Sequence, residues 1–137
     1  MRMCSGRETS LTTVRHGMTP FSCDSFLLDD QVGLIVARGE LDLDTASCLK
    51  ERTAELVEKG AIELVVDLSE VSFIDSTALG ALIGARRRVS GTLAVVATHP
   101  QVLRILRMTG LDQVFPLAST REVALECVKK ACGPEVR

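Results

Sequence analysis

The triplet Asp75-Ser76-Thr77 stands where an apolar run gives way to a helical pattern, and it is the point in this chain where one hydroxyl could matter most. The first-turn N–H groups of a helix have no internal partner, and the aligned peptide dipoles favour negative charge there. Ser76 is the expected N-cap, with Asp75 as a preceding acid. A serine so placed either only caps the helix or also carries a regulatory modification. As a hydrolytic nucleophile it would need a base. No G-x-S-x-G elbow is present, and the histidines are His16, near the N-terminus, and His99, which reads as the cap of a helix opening at Pro100. Asp42, Asp44, Asp67 and Asp75 raise a divalent-metal reading, but each has a local role as a cap or turn residue, so no metal is expected. The four lysines, Lys50, Lys59, Lys129 and Lys130, fall on helical patterns, not at a strand end as a phosphoryl-accepting receiver requires, and no G-x-x-x-x-G-K-[ST] loop occurs. Neither a cofactor nor catalysis is expected.

The elements that must position this triplet can be read in order. Residues 1–23 are polar and without period and are expected to form a flexible N-terminal tail. Phe26-Leu27-Leu28 and Gly33 to Gly39 predict two strands joined by a tight turn. Asp44 is the expected N-cap of a helix carrying Ala46, Leu49, Thr53, Leu56 and Val57 on one face and ending at Gly60. Leu64 to Ile74 predicts the central strand, and the helix after Ser76 is expected to bury Leu79, Leu82, Ile83 and Val89. Gly91 is read as its stop. Thr92 to Ala97 predicts a buried strand, Pro100 to Gly110 a helix, and Val114 to Leu117 a short edge strand. Ser119 and Glu122 have capping-box spacing before a final helix that runs to Gly133-Pro134. Alternation of this kind predicts one α/β domain over residues 24–134, with a mixed, mostly parallel sheet of about five strands and four helices.

Gly80 and Gly84 lie four apart inside the helix after Ser76, and each costs about 1 kcal/mol relative to Ala. Two explanations stand open: close packing against a neighbour, or a smooth exposed stripe with Thr77 on which another protein can lie. Arg86, Arg87 and Arg88 suit the C-terminal end of the helix dipole.

Composition narrows the partners. Aromatic content is 3%, with no Trp or Tyr, so stacking on nucleobases has little to work with. A net charge of -2 gives no global attraction to nucleic acid or anionic membrane, and no apolar run approaches the roughly 18 residues that span a bilayer. Cys4, Cys23, Cys48, Cys127 and Cys132 form an odd, scattered set without a CxxC, as expected for reduced thiols in a cytoplasmic protein.

The stretch DLSEVSFIDSTALGAL (residues 67–82) resembles the signature segment of STAS-domain proteins, in particular bacterial anti-sigma-factor antagonists. GELDLDTA (residues 39–46), Thr98 to Val102 and Met108-Thr109-Gly110-Leu111 resemble three further segments of that family, in the right order. The resemblance implies that the unmodified protein binds an anti-sigma factor that is also a serine kinase, freeing the sigma factor. It implies that phosphorylation of Ser76 switches binding off and that a phosphatase restores it. The family's acid in the Gly-Glu-Leu-Asp segment corresponds to Asp42. The partner-binding surface is expected at Asp42, Asp75, Ser76, Thr77, Gly80 and Gly84, with a weak homodimer as the self-association to test. One departure is Ala78, where the family usually has Gly, and a methyl at the first helical turn could alter the kinase's approach. Two other settings are open: a scaffold STAS protein in a stress-sensing assembly, or one associated with lipid transport.

Overall fold

The computed structural model describes residues 9–13, 21–28 and 31–130. Its strands are β1 (Thr9–Thr13), β2 (Phe21–Leu28), β3 (Val32–Leu41), β4 (Glu63–Ile74), β5 (Leu93–Val96) and β6 (Leu117–Ala118). The helices are α1 (Ala46–Glu58), α2 (Ser76–Arg88), α3 (Pro100–Met108) and α4 (Arg121–Lys130), with a 3-10 turn at Leu111–Gln113. Among the described residues, the strands form one six-stranded sheet in chain order. β1, β2 and β3 pair antiparallel, whereas β3, β4, β5 and β6 pair parallel. The mixed α/β sheet with four helices is the expected architecture.

Helices α1, α2 and α3 cover one face of the sheet, where Ile35, Leu41, Leu64, Val66 and Leu93 meet Leu49, Leu82 and Leu106. Helix α4 covers the other, where Ala124 and Val128 meet Val65, Ala94 and Val96. Because β5 and the first half of β4 are buried on both faces, Leu93 to Val96 and Leu64-Val65-Val66 read as continuous apolar runs instead of alternating ones. Strand β4 spans 12 residues against the 10 of β3, and two register shifts absorb the excess, between Val36 and Arg38 and between Gly39 and Glu40. Such bulges bend a strand and re-aim its side chains. Gly39, with φ of 105°, supplies the left-handed backbone at the second shift.

Several local expectations are corrected. The segment expected to be a tail, residues 1–23, contains β1 and the first three residues of β2, and Phe21 and Cys23 lie in the core. Its run of threonines suits an extended strand, and it pairs antiparallel with β2 from Thr9 against Ser25 to Thr13 against Phe21. The last strand is Leu117–Ala118 instead of 114–117, because a 3-10 turn takes up Leu111–Gln113. The Thr120 hydroxyl, not Ser119, accepts from Val123 N at the start of α4. Gly91 does not terminate α2 in a left-handed conformation: a Cβ there would lie 2.5 Å from Glu63 Cγ and 3.1 Å from the Ile62 carbonyl oxygen. Glycine is needed for close approach. The expected helix end at Gly133-Pro134 lies outside the described residues.

Candidate functional site

The parallel strands β3 and β4 end side by side, with Leu41 registered against Ile74, and their next residues build the site. Asp75 N donates to Leu41 O at 3.2 Å, so the α2 turn remains fastened to β3 as the sheet ends. Asp75 is extended, with φ -115° and ψ -175°, and one of its carboxylate oxygens accepts from Ala78 N at 3.1 Å. This is the geometry of an N-cap. Asp75, not Ser76, therefore caps α2. The second Asp75 oxygen accepts from Leu43 N at 3.1 Å, tying the loop before α1 to the start of α2 across 32 residues of sequence.

The tied loop is itself held firmly. Asp42 Oδ1 accepts from Asp44 N at 3.1 Å and Thr45 N at 3.3 Å. The buried Thr45 hydroxyl donates to Glu40 O at 2.8 Å and accepts from Asp42 N at 2.9 Å. Thr45 occupies the N-cap position of α1 without a side-chain capping bond, so the expected cap at Asp44 is displaced by this Asp42–Thr45 turn. Asp42 is thus a structural acid as well as a surface one.

Relieved of capping, Ser76 is exposed at the first position of α2, and its hydroxyl makes no hydrogen bond among the described residues. Thr77 is half-buried beside it. The structure brings Asp42, Asp75, Ser76 and Thr77 to one end of the sheet. Gly80 and Gly84 follow along the outer side of α2, and a Cβ at either would meet nothing within 4 Å. Close packing does not explain these two glycines.

The buried side of α2 differs from the expected stripe. Ala78, Ala81, Leu82 and Ala85 face inward, Leu79 is half-buried, and Ile83 is 36% exposed. Small side chains let α2 lie close to the layer beneath, which turns the larger Leu79 and Ile83 towards its margin. Ala78, the departure from the family glycine, is fully buried, so its methyl points into the core and not towards an approaching partner. Sequence reading also missed the exposed apolar residues around the turn, Leu43 at 71% and Phe73 at 41%. The available signal was Leu43 standing between two aspartates in the loop after β3.

The remaining candidates are placed elsewhere. His99 Nδ1 accepts from Gln101 N at 3.2 Å and so caps α3 as expected, and no hydrogen bond joins it to Ser76. Asp67 lies buried on β4 and pairs with Arg121 at the start of α4. Burial alone would raise its pKa, but hydrogen bonds from Arg121 and Ser69 outweigh that and hold the carboxyl below its usual range. Cys23, Cys48 and Cys127 are free thiols, and burial, reinforced by Cys48, pushes Cys23 up to about 12. Among the described residues no group of three or more His, Cys, Asp or Glu could hold a metal ion. No described helix is long and apolar enough to cross a membrane.

Against known proteins, the family model of the STAS domain matches residues 28–124. The anti-sigma-F factor antagonist RsfB of Mycobacterium tuberculosis is 35% identical over 100 residues, covering 72% of this chain and 82% of that protein. The anti-sigma-B factor antagonist of Bacillus subtilis is 32% identical over 87 residues, covering 61% and 79%. A crystal structure of an anti-sigma factor antagonist from Mycobacterium paratuberculosis superimposes with a TM-score of 0.69 at 29% identity, covering 90% of this chain and 96% of that one.

Proposed function

This chain belongs to the STAS domain family, and from that premise we propose that it is an anti-sigma-factor antagonist whose docking surface surrounds Ser76. In this reading the unmodified protein binds a cytoplasmic anti-sigma factor that is also a serine kinase and thereby frees the sigma factor. Transfer of the γ-phosphoryl group of ATP to the Ser76 oxygen ends the binding, and a separate phosphatase reverses it. The protein is a regulator and a kinase substrate, not itself a catalyst. Asp42, Asp75, Ser76, Thr77, Gly80 and Gly84 form the surface presented to the partner.

One observation carries the proposal: Asp75 does the capping, which leaves the Ser76 hydroxyl exposed and free of structural duty. Modifying it breaks no bond of the fold. A phosphoserine adds about -1.5 to -2 charge at pH 7. The positive end of the α2 dipole tolerates that charge locally, yet the phosphate would stand one residue from the Asp75 carboxylate. A partner that desolvated this spot would meet bulk and concentrated negative charge. Interrupting a buried polar contact costs about 2–5 kcal/mol, or roughly 30-fold to several-thousand-fold in affinity. No rearrangement of the fold is required.

The test is intact mass and binding after incubation with ATP and the cognate kinase. Wild type is expected to gain one phosphate and release its partner. Ser76→Ala is expected to gain none and to bind constitutively, and Ser76→Asp to bind more weakly. Equal affinity of modified and unmodified protein would refute the switch, and phosphate on the Ala variant would move the site, with Thr77 the first suspect.

A further inference from the structure

We propose that Leu43 is the apolar anchor by which this surface seats its partner, entering an apolar pocket rimmed by basic side chains on the anti-sigma kinase. The inference rests on the partner-binding reading above and names, within it, a contact residue that neither the sequence motifs nor the serine chemistry indicates.

Leu43 adds little to the core, because its side chain is 71% exposed. An exposed leucine is ordinary when it stands on a pliable loop, and a single one needs no explanation. Leu43 stands on a rigid one. Its own N–H is held by Asp75, and the residues on either side are fixed through Asp42 Oδ1 and the buried Thr45 hydroxyl, which bonds to Glu40 O. The backbone under this side chain is therefore ordered before any partner arrives, so docking spends little entropy there.

The occupant's chemistry follows from the surroundings. Asp42 and Asp44 flank Leu43 in the chain, Glu40 lies just before them, and the Asp75 carboxylate is hydrogen-bonded to its backbone. A complementary surface offers an apolar recess for the leucine and lysine or arginine side chains at its rim. The carboxylate that positions Leu43 also precedes Ser76, so a phosphate there would be added beside the anchor's own support. Anchor and modified hydroxyl belong to one epitope.

Met108 supplies an internal comparison. It is equally exposed, at 71%, but lies at the C-terminal end of α3, whereas Ser76 opens α2. The experiment measures affinity of the full-length, unphosphorylated chain for its cognate anti-sigma kinase, together with steady-state phosphorylation of Ser76. Leu43→Ala is expected to bind about 10- to 30-fold more weakly, as loss of most of a buried leucine side chain implies. It should raise KM for phosphorylation, with kcat within about twofold, and melt at the wild-type temperature. Leu43→Met should restore most of the affinity, and Met108→Ala should bind like wild type. Undiminished binding by Leu43→Ala, or an equal loss in Met108→Ala, would overturn the anchor. If Ser76→Asp weakens binding while Leu43→Ala does not, the anchor fails and the switch stands. If the wild type binds no such kinase, both readings fall together.

Discussion

Asp75 uses each carboxylate oxygen for a different task, one on Ala78 N and one on Leu43 N. Asp75→Ala is therefore expected to lower stability by about 1–2 kcal/mol, combining a lost cap with a freed loop, as read from urea denaturation. Ser76→Ala gives the contrasting measurement. Were Ser76 the cap, its loss would cost a comparable amount. With Asp75 as the cap, the same titration should place Ser76→Ala within about 0.5 kcal/mol of wild type. A large loss for Ser76→Ala would contradict the assignment and restore the serine to a structural role. The distinction bears on function, since a hydroxyl required for folding is a poor choice for reversible modification.

Helix α2 carries its small residues in two different ways. Ala78, Ala81 and Ala85 face the core, and Gly80 and Gly84 face outward with open space where a Cβ would stand. Nothing in the fold therefore requires glycine at 80 or 84. Gly80→Ala and Gly84→Ala are each expected to raise stability by about 1 kcal/mol through helix propensity, measured by denaturation. If the partner lies along this stripe, the same substitutions should weaken its binding, giving opposite signs for stability and affinity. Strand β4 contributes at this scale too. Its two register shifts against β3 set where the strand ends, and so where Asp75 meets Leu41 and Leu43. The turn was legible from the order of residue types, whereas the bulges, which depend on pairing with a strand some thirty residues earlier, were not.

The molecule as a whole holds its two helical layers to one sheet, and the Asp67–Arg121 pair fastens α4 to the central strand. Hydrogen bonds from Arg121 and Ser69 prevail over desolvation and depress the Asp67 carboxyl. A carboxyl with a lowered folded pKa contributes stability that is present above its unfolded value, roughly 3.9, and is lost as pH falls through the folded value. Arg121→Gln is expected to destabilise the protein near neutrality by about 1–2 kcal/mol, a figure kept low because the arginine is half exposed to solvent. The gap between variant and wild type should narrow as pH drops below about 4 and close only below the depressed folded value, where Asp67 is protonated in both. Urea titrations across that range provide the measurement, and a gap independent of pH would show that the pair is not what the variant disrupts.

The linear order of residues was enough to determine the alternation of strands and helices, the mixed α/β class, the Asp-Ser-Thr turn and the caps at His99 and Gly60, because each follows from periodicity or from the conformational limits of one residue type. It also carried the family resemblance, since GELDLDTA and DLSEVSFIDSTALGAL are contiguous segments. Tertiary structure alone decided which residue caps α2, which side of that helix turns inward, that Thr9–Thr13 joins the sheet, and that Leu43 stands exposed with its N–H on the Asp75 carboxylate. A helix rotates by about 100° per residue, so a small change in what it packs against exchanges Leu79 and Ile83 for Ala81 and Ala85. The bond from Leu43 to Asp75 spans 32 positions, and no local pattern records a contact formed only when two strands end together.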